Sequence, residues 1–143
     1  MLYTPLTKKA LCVAFDAHNG QTDKDGLPYI HHPLHLAAQM DTENEIVVAL
    51  LHDVVEDTAL TFSELESERF PQQVISALKL LTHENGGDYF EYVRSIKSDP
   101  IAVKVKRADL LHNSNPGRLA SLPPDTAERL KKKYSEALRV LES

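Results

Sequence analysis

Four ionisable side chains lie together at the end of an apolar segment in the middle of this 143-residue chain. Six apolar residues, 46–51, lead directly into His52 and Asp53, and Glu56 and Asp57 follow after two valines. On one continuous helix, residues four apart lie over each other, so these four groups would form a square. A helix that is otherwise apolar on all sides is normally buried, where carboxylates need a counter-charge. Because no basic residue lies among the four, the pattern predicts a bound divalent metal ion.

Two other segments place polar side chains where they could join this group. Asp109 and Asn113 are four residues apart in a predicted helix and therefore share one of its faces. His32 lies directly before Pro33, where a loop gives way to a helix. Each has an ordinary explanation by itself, a salt-bridged surface helix in the first case and a capping or surface histidine in the second. Together they match the way in which helical proteins build metal centres, from side chains that project inward from separate helices.

The hydrophobic pattern is helical along nearly the whole chain, and the sequence has no alternating strand pattern. Threonine and proline residues mark the expected helix starts, and Thr61 with Glu64 forms a capping-box sequence. We therefore predict an all-α protein, a compact single domain of residues 1–143 with seven or eight helices. The expected helices cover residues 5–19, 33–40, 44–57, 61–69, 71–81, 88–97, 100–114 and 123–141, with a polar loop at 21–31.

Composition and charge limit the classes of function. The net charge of −5 argues against a protein that coats nucleic acid, although it allows a small phosphorylated ligand. No apolar run approaches the ~20 residues of a membrane span, and residues 1–5 lack the pattern of a signal peptide. We therefore expect a cytoplasmic protein with no membrane partner, and the oligomeric state stays open. The single cysteine, Cys12, excludes an internal disulfide, and its apolar helical surroundings predict a buried thiol.

The His52–Asp53 pair and the distant Asp109 resemble the signature of the HD superfamily of metal-dependent phosphohydrolases. A closer resemblance is to the hydrolase domain of the Rel/Spo alarmone enzymes of the stringent response and to their small stand-alone versions, which remove the 3′-pyrophosphate of (p)ppGpp. The segments that carry it follow the family's order: Ala17–Gln21, Pro28–Pro33, His52–Thr58 and Lys106–Asn113. The resemblance implies the HD-domain fold and a (p)ppGpp 3′-pyrophosphohydrolase. It implies no synthesis of the alarmone, because the chain has no counterpart of the family's synthetase domain.

The resemblance also assigns roles to individual residues. It implies one divalent metal ion, typically Mn²⁺, although a mixed imidazole and carboxylate set also permits Fe²⁺ or Zn²⁺. The implied metal ligands are His32, His52, Asp53 and Asp109. Glu56 and Asp57 correspond to the acidic pair that positions and activates the attacking water, and Asn113 corresponds to an asparagine that contacts the nucleotide. The basic residues nearest to these segments are candidates for binding phosphate: Lys24, Lys106, Arg107 and Arg118.

Two positions depart from the alarmone hydrolases. Asp23 stands where an arginine stacks on the guanine base, and Pro116 stands where the family often has a threonine. An aspartate cannot stack as a guanidinium does, so we expect weak discrimination of guanine and a higher kcat/KM for (p)ppGpp after Asp23→Arg substitution. Two alternatives therefore stay open: a phosphohydrolase of another nucleotide or phosphorylated metabolite, and a non-catalytic regulatory module that binds nucleotide and metal. The Glu56–Asp57 pair argues against the second, because a binding module needs no water-activating base.

Overall fold

The computed structural model describes residues 1–84 and 86–143, and the regular structure in this part of the chain is helical. Its ten helices are α1 (Pro5–Ala17), α2 (His31–Ala37), α3 (Glu43–Leu51), α4 (Val54–Asp57), α5 (Phe62–Ser67), α6 (Gln72–Leu81), α7 (Tyr89–Ile96), α8 (Pro100–Asn113), α9 (Pro116–Leu119) and α10 (Pro124–Glu142). The described residues contain no strand, only a single bridge between Thr22 and Pro28. None of the described helices combines the length and apolar character needed to cross a membrane. The predicted all-α class is confirmed, and the extent of the domain, 1–143, stays a prediction. The described residues form ten helices rather than the seven or eight predicted, because the 44–57 segment divides into α3 and α4 and because α9 was not expected.

The apolar helix α3 lies at the centre of the fold. Its residues Ile46–Leu51 are all buried, with at most 1% of their surface exposed. Helices α1, α2, α6 and α8 pack against α3 and surround it with apolar side chains. The burial predicted from the uninterrupted apolar run is therefore confirmed. As a consequence, the residues that follow α3 emerge from the middle of the core, within reach of α2 and α8.

Several helix starts coincide with capping signals in the sequence. Thr42 and Thr61 each accept a hydrogen bond from the backbone N–H three residues later. The side chains of Glu45 and Glu64 accept the backbone N–H of the threonines in return. Each exchange satisfies two backbone donors that the first helical turn leaves free. Pro100 occupies the first position of α8, where a missing N–H costs no hydrogen bond.

The prediction of one continuous helix over residues 44–57 is wrong. Helix α3 ends directly before His52, and the one-turn helix α4 starts directly after Asp53. The ring Nδ1 of His52 donates a hydrogen bond to the backbone oxygen of Ala49 at 2.7 Å. In a continuous α-helix that oxygen would accept the backbone N–H of Asp53. The side chain of His52 thus competes with the backbone for the same acceptor, and the helix ends.

Two further differences from the sequence predictions concern single segments. A short helix, α9, follows α8 where a loop was expected, with Pro116 at its first position and the side chain of Asn115 as its cap. Cys12 is exposed rather than buried. The buried face of α1 contains Ala10 and Ala14, and Cys12 projects from the opposite side of the helix.

Candidate metal centre and active site

Two histidines and two aspartates meet where α3 ends. One potential ligand atom from each residue lies within 4.8 Å of those of the other three. His32 comes from α2, His52 and Asp53 come from the turn between α3 and α4, and Asp109 comes from α8. His32, His52 and Asp109 are at most 5% exposed. The structure brings together the four residues that the resemblance implies as metal ligands, and their coordination of a metal stays a prediction.

The imidazole of His52 presents a free lone pair to two carboxylates. Because its Nδ1 donates to the backbone oxygen of Ala49, the proton of the neutral ring lies on Nδ1 and the lone pair on Nε2. Nε2 lies 2.9 Å from Asp53 and 3.5 Å from Asp109, yet it makes no hydrogen bond of good geometry. Burial by itself would lower the pKa of His52, but the two carboxylates raise it well above its usual value. This arrangement requires a cation between the groups, either a proton or a metal ion.

His32 reaches the same carboxylates from α2. Its Nε2 lies 2.9 Å from Asp109 Oδ1 and 3.8 Å from Asp53 Oδ2. On the other side of the ring, its Nδ1 lies 2.7 Å from Nδ1 of His112. Burial, together with the positive charge of Arg118, lowers the pKa of His112 to about 3. His112 is therefore a neutral partner of His32.

A mostly buried lysine on α8 forms an ion pair with Asp109. Lys106 Nζ lies 3.0 Å from Asp109 Oδ2, and the lysine side chain is 11% exposed. The same ammonium group lies over the rings of Tyr92 and Tyr89, 5.2 and 5.8 Å from their centroids. Burial opposes the ionisation of Asp109, but Lys106 and the hydrogen bond from His32 hold its pKa well below the usual range. The ion pair with Asp109 engages the charge of Lys106. The phosphate-binding role predicted from the sequence therefore stays a prediction, beside the alternative role of supporting Asp109.

Two hydrogen bonds orient the aspartates. The hydroxyl of Tyr29 donates to Asp53 Oδ2, and Asn113 Nδ2 donates to Asp109 Oδ1 at 3.0 Å. Partners of this kind fix the direction of the coordinating oxygens in metal sites. Tyr29 was not among the predicted site residues, although it lies within the Pro28–Pro33 segment that carries the resemblance.

The donor set fits a divalent cation. Two imidazoles and two carboxylates form a mixed nitrogen and oxygen set, which Mn²⁺, Fe²⁺ and Zn²⁺ all accept. The buried Nε2 of His52 is the clearest sign, because it faces carboxylate oxygens and has no hydrogen-bond partner in the described part of the chain. The cluster could therefore hold a divalent metal ion.

The acidic pair of α4 is less buried than the sequence predicted. Glu56 and Asp57 are both exposed as whole residues. Glu56 Oε1 accepts the backbone N–H of His83 at 2.6 Å. Partial burial of its carboxyl group, followed by the charges of Asp53 and Glu56, raises the pKa of Asp57 to about 6. A carboxylate with that pKa can accept a proton near neutral pH, so Asp57 fits the role of a base better than Glu56 does.

A cavity of about 380 Å³ opens beside the cluster. Tyr29 and Asn113, which orient the two aspartates, form part of its wall. Its apolar lining comes from the region of α9 and α10: Leu119, Leu122, Leu130 and Tyr134. Lys24 also lines the cavity and is exposed, as a phosphate-binding residue would be. Arg107 is not part of this lining, because it is exposed and forms a surface ion pair with Glu142 at 2.7 Å.

The carboxylate of Asp23 is engaged by the protein itself. Only 6% of its side chain is exposed, and Oδ1 accepts the backbone N–H groups of Asp25 and Leu27 at 2.9 and 3.0 Å. Oδ2 accepts a hydrogen bond from the ring of His31 at 2.7 Å and lies 3.5 Å from Arg118 Nη2. Burial opposes ionisation, but these hydrogen bonds lower the pKa of Asp23 to about 2. Asp23 therefore organises its loop and pairs with Arg118, which also lines the cavity. The phosphate-binding role predicted for Arg118 stays a prediction.

Comparison with known proteins agrees with this geometry. A family model described as HD domain matches residues 10–90. The chain is 33% identical over 144 residues to the bifunctional (p)ppGpp synthase/hydrolase SpoT of Escherichia coli K12, covering 90% of the chain and 20% of that protein. It is 35% identical over 139 residues to the guanosine-3′,5′-bis(diphosphate) 3′-pyrophosphohydrolase of Haemophilus influenzae, covering 87% of the chain and 20% of that protein. The chain spans about a fifth of the length of these curated relatives.

A solved structure shares the fold. It is described as a metazoan orthologue of SpoT that hydrolyses ppGpp and plays a role in starvation responses. The TM-score is 0.77, the two sequences are 23% identical, and the match covers 97% of this chain and 88% of the other. This likeness concerns the fold, whereas the family model covers more than half of the chain and includes the positions of His32, His52 and Asp53. The protein is therefore a member of the HD-domain family.

Proposed function

We propose that this protein is a metal-dependent phosphohydrolase that removes the 3′-pyrophosphate of (p)ppGpp. The observation that carries the proposal is the buried cluster of two imidazoles and two carboxylates, in which Nε2 of His52 finds no hydrogen-bond partner among residues 1–84 and 86–143. The similarity of the chain to guanosine-3′,5′-bis(diphosphate) 3′-pyrophosphohydrolases supports this choice of substrate. The proposal treats residues 1–143 as one catalytic domain that acts in the cytoplasm on a small phosphorylated substrate.

The metal would be held by His32, His52, Asp53 and Asp109, with Mn²⁺ as the proposed ion. When bound, such an ion neutralises phosphate charge and lowers the pKa of a coordinated water toward about 7. The chain's own residues prepare the site for it. Lys106, Asn113 and Tyr29 fix the two carboxylates, so little side-chain entropy remains to be lost on binding.

Asp57 is the proposed general base. Its raised pKa lets the carboxylate accept the proton of the attacking water as the water oxygen bonds to phosphorus. The bond from phosphorus to the 3′-oxygen then breaks, this oxygen takes up a proton from solvent water to become the 3′-hydroxyl of the nucleotide, and the pyrophosphate formed is released. The backbone oxygen of Asp57 accepts a hydrogen bond from Gln21 at 2.8 Å, which ties α4 to the loop beside the cavity. Glu56 holds the segment after α6 through His83 and supports the position of α4.

The remainder of the substrate would occupy the 380 Å³ cavity. Asn113 both contacts Asp109 and lines this cavity, so it lies between the proposed metal and the bound nucleotide. Lys24 provides a positive charge for phosphate at the exposed side. The leucines and Tyr134 of the lining supply an apolar surface for a nucleobase.

A second candidate function is hydrolysis of another nucleotide or phosphorylated metabolite. It is favoured by Asp23, whose buried carboxylate leaves no side chain at that position to stack on guanine. The same geometry for metal and base would serve either substrate. The difference between the two candidates therefore lies in the cavity alone.

A substrate screen separates these functions. The purified protein with Mn²⁺ is assayed for phosphate and pyrophosphate release from ppGpp, pppGpp, other nucleotides and small phosphate esters, with Asp57→Asn as the control for contaminating phosphatases. Pyrophosphate release mainly from (p)ppGpp is the expected result. Preferential turnover of another compound would select the second candidate. Binding of metal and nucleotide with no turnover of any substrate would contradict both and leave a regulatory module.

A further inference from the structure

The guanidinium group of Arg118 is enclosed by groups from three segments beside the candidate metal centre. Its side chain is 19% exposed. Nη1 lies 3.0 Å from both Asn113 Oδ1 and His112 Nδ1 of α8, the acceptors of its two N–H bonds, and 3.5 Å from Nδ1 of His32 on α2. Nη2 lies 3.5 Å from Asp23 Oδ2. The charge of Arg118 is thus accounted for within the protein.

These contacts fix where protons lie on the neighbouring rings. An arginine has donors only, so His112 must accept at Nδ1, which therefore carries no proton. Nδ1 of His32 lies 2.7 Å from this atom, and the contact is attractive only if His32 donates. Nε2 of His32 lies 2.9 Å from Asp109 Oδ1 and donates to it only while Nε2 also carries a proton. When that proton is exchanged for a metal ion, the ring keeps its proton on Nδ1 and its Nε2 lone pair is the one that binds the ion.

We propose that Arg118 is a positioning residue that acts through His112 and sets the tautomer of His32 able to bind a metal ion. This inference rests on the proposed function, because it concerns the same metal centre. It also connects the two positions at which the sequence departs from the alarmone hydrolases. Pro116 opens the short helix α9 that carries Arg118, and Asp23 supplies the counter-charge of Arg118. The two departures are parts of one arrangement.

The first test needs no variant. In ¹⁵N-labelled protein, NMR of the imidazole nitrogens reports which ring nitrogen carries a proton, in the metal-free state and with diamagnetic Zn²⁺ bound. We expect a non-protonated Nδ1 in His112 and a protonated Nδ1 in His32. A protonated Nδ1 in His112 would overturn the inference. A failure of the proposed function gives a different result: if the cluster binds no metal, Zn²⁺ leaves the imidazole ¹⁵N signals of His32 and His52 unchanged.

The second test measures metal affinity by competition with a chelator. Arg118→Met should weaken Zn²⁺ binding by about 10–100-fold, the usual effect of removing a group that orients a ligand. Arg118→Lys should recover much of this loss, because an ammonium group also only donates hydrogen bonds. Arg139→Met is the matched control, since Arg139 is 76% exposed and, among the described residues, pairs only with Glu136 within α10. Its affinity should equal that of the wild type.

A third test replaces His112, through which Arg118 is proposed to act on His32, and again measures Zn²⁺ affinity. His112→Phe removes the acceptor for both Arg118 and His32 and should weaken Zn²⁺ binding as much as Arg118→Met does. The double variant should bind no more weakly than either single variant, because the three residues act in series. Should Arg118→Met fail to fold, His112→Phe decides the question. Wild-type affinity in either folded variant contradicts the inference.

Discussion

Replacement of Lys106 by methionine tests whether this lysine supports Asp109 or binds substrate phosphate. The two charged groups are 3.0 Å apart, and the lysine side chain is 11% exposed. At an effective dielectric constant of ~20, unit charges at this distance interact by about 5 kcal/mol. Removing one partner of a buried ion pair costs about 3–5 kcal/mol in proteins. We therefore expect Lys106→Met to lower the free energy of unfolding of the metal-free protein by about 3–5 kcal/mol.

Metal binding should recover part of this loss. Without Lys106, the charge of Asp109 is compensated less well, and a divalent ion at the cluster supplies the missing positive charge. Saturating Mn²⁺ should therefore stabilise the variant by more than it stabilises the wild type. Urea unfolding in EDTA, repeated with Mn²⁺, measures both quantities. Lys104→Met is the matched control on the same helix, because Lys104 is 36% exposed and pairs at the surface with Asp41 and Glu45.

The control variant should lose less than about 1 kcal/mol, as is usual for exposed ion pairs. A phosphate-binding lysine would behave differently from a lysine that supports Asp109: its replacement would raise KM for the substrate and leave the metal-free stability close to that of the wild type. If Lys106→Met destabilised the metal-free protein no more than Lys104→Met does, the role assigned to the buried ion pair would be refuted.

Four further predictions follow from the site. Asp57→Asn should reduce kcat by about 10²–10⁴-fold and Glu56→Gln by less, with metal affinity unchanged; weakened metal binding in chelator competition would instead make Asp57 a ligand. Because the pKa of Asp57 is raised to about 6, its carboxylate becomes protonated as the pH falls, so kcat/KM should drop below about pH 6. A bound cation would move this loss of activity to lower pH. In a pH–rate profile, Asp57→Asn should abolish the loss. Removal of metal with EDTA should lower the melting temperature, and readdition to about 100 times Kd should restore about 2.7 kcal/mol, whereas an unchanged melting curve would exclude a folded-state metal site. Asp23→Arg should destabilise the protein by roughly 2–4 kcal/mol and lower kcat/KM for (p)ppGpp, since it removes the acceptor of three hydrogen bonds and places two guanidinium groups together. Urea unfolding at wild-type stability would show that the loop does not depend on Asp23.

The expected loss of kcat/KM in Asp23→Arg is the opposite of the gain that the sequence alone predicts, because Asp23 is paired within the protein. The sequence gives no reason to exclude Asp23 or Arg118 from substrate binding, because nothing along the chain indicates that their side chains meet. Only the fold brings the loop before α2 against α9 and turns both charges toward each other. Lys106 and Asp109 are three residues apart on one helix, so their pairing could have been considered from the sequence. Their burial depends on packing against α7, however, and could not be predicted from the spacing along one helix.

The fold class and most helix starts could be predicted because they depend on neighbours along the chain. The threonine caps at 42 and 61 and the proline at 100 act within one turn, and all three are found where the sequence indicates them. The end of α3 could not be predicted in this way. The apolar pattern continues into α4, whereas the break depends on one hydrogen bond from the ring of His52 to Ala49. Hydrophobic periodicity carries no information about such a side-chain hydrogen bond.

The exposure of Cys12 gives the protein a single site for chemical labelling. It is the only cysteine of the chain, and it lies on α1, which packs against the helix that leads into His52. A nitroxide spin label can therefore be attached without adding or removing any cysteine. Because Mn²⁺ is paramagnetic, an ion bound at the proposed centre would speed the relaxation of that label to an extent set by their separation. The position of the metal can then be measured in solution by electron paramagnetic resonance, on the unmodified sequence.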